Sequence, residues 1–285
     1  MRQNTDEPIL VVGGTGKTGR RVAARLQERG RMVRIGSRFG APPFDWNAPA
    51  TWEPVVRGVK AAYVTYYPDV SVPGAAATIG AFADLAVQNG VQRLVLLSGR
   101  GEPEAMHAER AVQAAGVCWT VLRCSWFNQN FSEGYLLESV LSGEVALTVD
   151  GVPEPFVDTE DIADVAVAAL TDDGHVERVY ELTGPSSLRF ADAVDQIANA
   201  CGRPLRFVPV SIDEFAAALA DAKVPEQDIA LLRYLFTEVL DGRNARPDDG
   251  VQRALGRPAR DFPDFARRTA ASAVWDLTLT PTAIR

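Results

Sequence analysis

The sequence is short of the side chains that bind metals and cross-link chains. Among 285 residues there are three cysteines and two histidines. Cys118, Cys124 and Cys201 are odd in number and form no C-x-x-C pair, so neither a disulfide framework nor a zinc site is expected. His107 and His175 are too few for a histidine-rich metal centre, and no metal is expected. Lysine is also scarce: Lys17, Lys60 and Lys223 are the only ones in a Lys+Arg total of 29. No apolar run approaches the roughly 20 residues of a membrane helix. The N-terminal MRQNTDEP lacks the apolar core of a signal peptide. A reduced, cytoplasmic protein without a membrane partner is the expectation. Acidic residues number 37 and the net charge is −8, which disfavours binding to a nucleic-acid backbone.

What is present reads as an α/β chain. The composition is 47% hydrophobic, enough for a sizeable core. ILVV (9–12) suits a buried parallel strand, and 18–29 reads as a helix with Val22, Ala23 and Leu26 on one face. Strands are expected at 32–37, 63–67, 93–99, 118–124 and 178–184, with helices around 52–59, 74–90 and 102–116 between them. This alternation predicts a Rossmann-like doubly wound parallel sheet. A turn is expected at Asp150-Gly151. The helix-rich remainder suggests two domains, 1–184 and a smaller substrate-binding lobe at 185–285, with 125–155 able to contribute to the lobe.

VVGGTGKTGRRV (11–22) carries the strongest motif. A P-loop needs glycine five residues before Gly16, where Val11 stands, so that pattern fails. Gly14-x-Gly16-x-x-Gly19 and Gly13-x-x-Gly16-x-x-Gly19 both fit a dinucleotide loop between strand and helix. There Gly16 admits a pyrophosphate, Gly19 lets helix and strand pack closely, and the helix N-terminus offers free N–H groups. Thr15, Lys17 and Thr18 lie in the same loop and first turn. The second strand ends in Gly36-Ser37-Arg38, where an acid would mark NAD. The hydroxyl of Ser37 and the guanidinium of Arg38 suit a 2′-phosphate, favouring NADP(H) as cofactor.

Several stretches resemble the NmrA-like branch of the atypical short-chain dehydrogenases/reductases. These are GGTGKTGRRVA, LVLLSGRG, HAERAVQAAGVCWTVLRCSWFNQNF, DTEDIADVA and the tail VQRALGRPARDFPDFARRTAA. GGTGKTG followed by GSRFG, FDW and TW looks most like the ergot-alkaloid-type (festuclavine and agroclavine) dehydrogenases. The resemblance implies an NADP(H)-binding Rossmann domain and a small substrate lobe. The branch holds reductases of iminium, quinone and enone acceptors, and also cofactor-sensing regulators that do no chemistry. Through the resemblance Asp45 becomes a candidate partner of the adenine amino group, although it could equally cap the next segment. Trp46 and Thr65 join the cofactor set.

Many short-chain dehydrogenases protonate a carbonyl oxygen with a Tyr-x-x-x-Lys pair. Four residues before the three lysines stand Gly13, Val56 and Leu219, so this pair is absent. The candidates left for chemistry are Ser98 at a strand end, His107 on the helix where the tyrosine would be sought, and Tyr66. Each has a bland alternative: a polar strand end, a surface histidine, core packing. Tyr67, Trp126, Phe127, Asn128 and Asn130 offer aromatic walls and amides for a flat organic substrate, or simply packing. The expected activity is NADPH-dependent hydride transfer to an electrophilic acceptor, with cyclic imines or iminium ions foremost. Quinone or enone reduction and a non-catalytic NADP(H) sensor are the alternatives. The partner is a small-molecule substrate, and the chain a monomer or homodimer.

Overall fold

The computed structural model describes residues 7–149 and 151–277. The N-terminal residues 1–6, and Asp150 of the expected turn, lie outside the described residues. Six strands form one sheet: β1 Ile9–Val12, β2 Val33–Gly36, β3 Ala61–Val64, β4 Arg93–Gly99, β5 Cys118–Cys124 and β6 Arg178–Leu182. Their order is β2-β1-β3-β4-β5-β6, and every pair is parallel. The chain reverses direction across the sheet after β2, the doubly wound arrangement. All carboxyl ends of the strands therefore share one edge.

β1 and β3 are buried along their whole length, as expected for strands covered on both faces. The third strand differs from the expected 63–67. It begins at Ala61 and stops at Val64. Ala61 and Ala62 carry little hydrophobic signal, yet their small side chains fill the buried centre. Beyond Val64 the backbone leaves the ladder, and the Thr65 carbonyl accepts instead from the Trp46 indole at 3.1 Å.

Helices α1 Lys17–Glu28, α2 Trp52–Val56, α3 Ala75–Gln88, α4 Pro103–Ala114 and α5 Thr159–Thr171 belong with this sheet. α1 buries Val22, Ala23 and Leu26 and packs beside α5. Arg21 and Arg25 of α1 pair with Glu160 of α5, and Arg25 also with Asp164. α3 packs beside α4, over a core that includes Phe44, Trp46, Trp52, Ile79 and Phe82.

The chain divides into two compact units, and the division is not one cut near residue 184. The first comprises 7–124, 159–182 and 249–258. The second comprises 125–149, 151–158, 183–248 and 259–277. The late pieces join the first unit because α5 packs on α1 and β6 completes the sheet. The second unit has an aromatic core of Phe131, Phe156, Phe190, Phe236, Phe262 and Trp275. It holds a two-stranded parallel pair, Glu144–Leu147 with Arg206–Pro209. Among the described residues no helix is long and apolar enough to cross a membrane.

Candidate functional site

The glycine loop joins β1 to α1 at the carboxyl edge of the sheet, and its four glycines are there for different reasons. Gly13 has φ +71, and a Cβ on it would meet Thr65 Oγ1 at 2.1 Å. A Cβ on Gly14 would meet Ile35 Cδ1 at 2.8 Å. A Cβ on Gly19 would lie 2.2 Å from the Gly13 carbonyl oxygen and 2.9 Å from the Gly14 Cα, both backbone. These three are required by packing. Gly16 is not: its φ is an ordinary −78, it is exposed, and a Cβ would meet only the Gly13 oxygen, at 3.2 Å. The open face at Gly16 is space for something outside the chain.

Gly16 is also the N-cap of α1, with no side chain capping it and no acid in the first turn. The N–H groups of Lys17, Thr18 and Gly19 have no acceptor within the helix, and the helix dipole adds positive potential there. An uncapped helix start behind an open glycine is a cradle for an anion. Thr15 is exposed beside it, Lys17 half-buried and Thr18 buried. Thr65, at the end of β3, donates from its hydroxyl to the Val12 carbonyl at 3.1 Å and stands over Gly13. It ties the β1 and β3 ends together.

β2 ends against β1, where a Cβ on Gly36 would meet Val12 Cα at 3.1 Å. The next turn closes on the Ser37 carbonyl, which accepts from Gly40 N at 3.0 Å and Phe44 N at 2.8 Å. Arg38 is thereby held exposed at the tip, without a hydrogen bond or ion pair to another described residue. Asp45 is engaged locally: its carboxylate accepts from Asn47 N at 2.9 Å, a turn-forming contact. That is the capping alternative for Asp45. Trp46, expected in the cofactor set, is a core residue in the structure. Its ring is 8% exposed and packs on Phe44, Trp52, Tyr66 and Phe82. It acts on the loop only through its bond to the Thr65 carbonyl.

Of the candidates for chemistry, Tyr66 is half-buried against Trp46, whereas Tyr67 is 69% exposed, as neighbours at a strand end should be. His107 sits on the outer face of α4, half exposed and paired with Glu104 at 3.2 Å. Ser98 is buried and donates to Glu109 Oε1 at 2.7 Å. Its proton is committed to that carboxylate.

Glu109 belongs to a network that motif reading missed. Ser98, Arg123 and Glu181 are lateral neighbours on β4, β5 and β6, and Glu109 of α4 lies across them. Arg123 binds both Glu109 oxygens, at 2.6 and 2.9 Å, and faces Glu181 at 3.6 Å. Arg100 donates to Glu181 at 2.8 Å. The Glu109 carboxylate pushes the Arg123 guanidinium further up, so the cation is permanent. The signal was present: Ala105, Ala108, Glu109 and Val112 share the buried face of α4, putting a carboxylate on an apolar stripe.

A second missed group lies one loop away. Glu102 is 8% exposed. Its carboxyl folds over Gly99, where a Cβ would collide with it at 1.9 Å. Asp69 and Ser71, from the loop after β3, face it.

The remaining candidates lie in the second unit. Trp126 is half-buried against Phe190 and Phe236, and its indole nitrogen is buried without a partner. Phe127 is half-buried and bridges to Val157. Asn128 is fully enclosed, with both amide atoms unpartnered.

No family model matches the chain. Relatives match along nearly its whole length. An NAD(P)H azoreductase of Xenophilus azovorans is 30% identical over 93% of this chain and 98% of its own. Festuclavine synthase II of Penicillium roqueforti is 30% identical over 90% and 96%. The crystal structure of an NADPH-dependent quinone oxidoreductase of Escherichia coli shares the fold, with TM-score 0.76 at 18% identity over 91% of this chain and 99% of that one. Whole-length similarity to these enzymes, a parallel six-stranded sheet and a glycine loop at its carboxyl edge have one explanation: the chain belongs to the short-chain dehydrogenase/reductase-type family of NAD(P)H-dependent oxidoreductases that includes the clavine-forming enzymes.

Proposed function

We propose that this chain is an NADPH-dependent reductase that delivers hydride to an electrophilic organic acceptor, with cyclic imines and iminium ions the first class. The observation carrying this reading is the uncapped start of α1 behind Gly16, the one loop glycine that packing does not require. Its open face and the positive end of the helix dipole fit a pyrophosphate. Lys17 and Thr18 flank it, and Arg38 with Ser37 would hold a 2′-phosphate through charge-assisted bonds. NADPH, when bound, supplies the hydride.

The chain's own part is to bind, orient and exclude water. It lacks the Tyr-x-x-x-Lys pair, and His107 and Ser98 do not replace it. A preformed iminium needs no proton, because hydride addition to a cationic carbon yields a neutral amine. Quinones and enones come next, since the resulting anion is delocalised.

Initial rates of NADPH consumption under anaerobic conditions, on matched panels of cyclic imines, quinones and ketones, test the proposal. Imines ahead of ketones, with little change in His107→Ala, is the expected outcome. Ketone turnover above imine turnover, lost in His107→Ala, would overturn it. NADPH binding without turnover of any acceptor would favour a sensor.

A further inference from the structure

The carboxyl edge of the sheet holds two carboxyls that no cation among the described residues neutralises. Glu102 follows β4 and Asp69 follows β3. These strands are neighbours, and the glycine loop opens from β1 on the other side of β3. Parallel strands put all three loops on one edge, where folds of this type bind ligands.

Glu102 is the deeper of the pair. Its Oε2 is shielded from solvent and accepts no hydrogen bond from a described residue, a costly state for a carboxylate. Asp69 is half-buried, and its Oδ1 accepts from Ser71 N at 2.8 Å and Ser71 Oγ at 2.6 Å. Those bonds hold the Asp69 carboxyl in place. The groups facing Glu102 are Asp69 and Ser71, so a like charge stands opposite an undersolvated carboxyl. Two such carboxyls cannot both ionise cheaply. Gly99 is part of the construction, because any Cβ there would expel the Glu102 carboxyl.

We propose that Glu102 and Asp69 share one proton, and that Glu102 delivers it to the heteroatom of the acceptor during reduction. The delivery rests on the reductase reading above. Burial first, and the Asp69 charge second, push the Glu102 carboxyl up to about 8, so it holds its proton at neutral pH. In the step, two electrons arrive as hydride from NADPH and form the new C–H bond. The π pair of the C=N or C=O bond moves to the heteroatom. That atom forms its bond to hydrogen as the Glu102 O–H breaks, leaving a dianionic pair. Half-exposed Asp69 then takes a proton from solvent and restores the pair. The proposal supplies the proton that neutral imines must receive and that iminium ions do not need.

Two measurements on the full chain test this. Difference infrared spectra between about pH 6 and pH 10 read the carbonyl stretch of a protonated carboxyl directly. Wild type should lose one such band with a midpoint well above the ordinary carboxylate range. Glu102→Gln should lack it, and Asp69→Asn should move the midpoint down by removing the like charge. The second measurement compares a neutral cyclic imine with the N-alkylated iminium of the same ring. A general acid contributes about a hundredfold or more, so Glu102→Gln should lower the ratio of imine to iminium turnover about a hundredfold, with NADPH affinity retained. It should also remove the alkaline limb of the imine pH profile. Absence of the band in wild type overturns the shared proton, whatever the turnover. An equal fall for both substrates, or no fall, overturns delivery by Glu102. No turnover by wild type with any acceptor overturns the reductase reading and with it the delivery step, while the infrared result stands by itself.

Discussion

Replacing Gly16 and Gly19 separately should divide cofactor binding from folding. In Gly16→Val the backbone already has φ −78, which a branched residue accepts. The nearest atom to the new Cβ is the Gly13 oxygen at 3.2 Å, so the loop must give by a few tenths of an ångström. The valine methyls then fill the open face. An anion would lose one or two N–H contacts of about 1.5–3 kcal/mol each, or at least tenfold in affinity and more than a hundredfold if two go. In Gly19→Ala the new Cβ stands 2.2 Å from the Gly13 oxygen and 2.7 Å from its carbonyl carbon. Both are backbone, so helix and loop must separate by about 1 Å, an overpacking cost of about 1–3 kcal/mol. At about 2–4 °C per kcal/mol for a chain of this size, Gly19→Ala should lower Tm by about 2–12 °C. Gly16→Val should lower it by less than about 3 °C. Thermal melting without cofactor and calorimetric titration with NADPH measure the two effects. Gly16→Val that binds NADPH as wild type does, or that melts as early as Gly19→Ala, would refute the assignment of the open face.

Three further outcomes are expected. Arg38→Ala should weaken NADPH about ten- to hundredfold, the loss of one charged contact, and leave NADH nearly unchanged in parallel titrations. Equal NADPH affinity before and after would remove Arg38 from the phosphate site. Glu109→Ala leaves the partly buried Arg123 cation without its main partner, a change of about 3–5 kcal/mol. Chemical denaturation should show it, whereas a loss under about 1 kcal/mol would mean the network is dispensable. Finally, the raised Glu102 carboxyl makes the folded state bind more protons than the unfolded one between the ordinary glutamate value and about 8. Its contribution is therefore complete below that window, falls as pH rises through it, and is gone above it. The slope is at most about 1.4 kcal/mol per pH unit. Denaturation midpoints across this range should fall more steeply in wild type than in Glu102→Gln, and parallel slopes would speak against a protonated Glu102.

The sheet was legible because each strand and helix carries its own local signal. ILVV, RLVLLSG and CWTVLRC are apolar runs of strand length, and the helices after the first two close at Gly30 and Gly116. The third strand was displaced because its buried centre is Ala61-Ala62, while the aromatic residues that look like strand, Tyr66 and Tyr67, lie past its end. Residue type could not tell the two apart, since alanine buries as well as tyrosine where space is small. The division into units was illegible for another reason. α5 and β6 return to the first unit through long-range pairings, Arg25 with Asp164 and Arg123 with Glu181 among them. No local pattern encodes a contact across that many residues.

The site divides along the same line. The glycine loop is a motif, so its position and even the special standing of Gly16 follow from spacing plus strand–helix context. Proton sources are environments, not motifs. Glu102 stands at the start of α4 and Glu109 within it, and residue type alone makes them equivalent. The fold gives them opposite surroundings: Glu109 meets the Arg123 guanidinium, at 2.6 Å, and Glu102 meets Asp69 and a dry wall. One is thereby engaged by a cation and holds Ser98 and the sheet face in place. The other is a reservoir for a proton. The missing Tyr-x-x-x-Lys pair therefore does not leave this edge of the sheet without acid chemistry, because a carboxyl kept neutral by its surroundings can stand where a phenol would otherwise be needed.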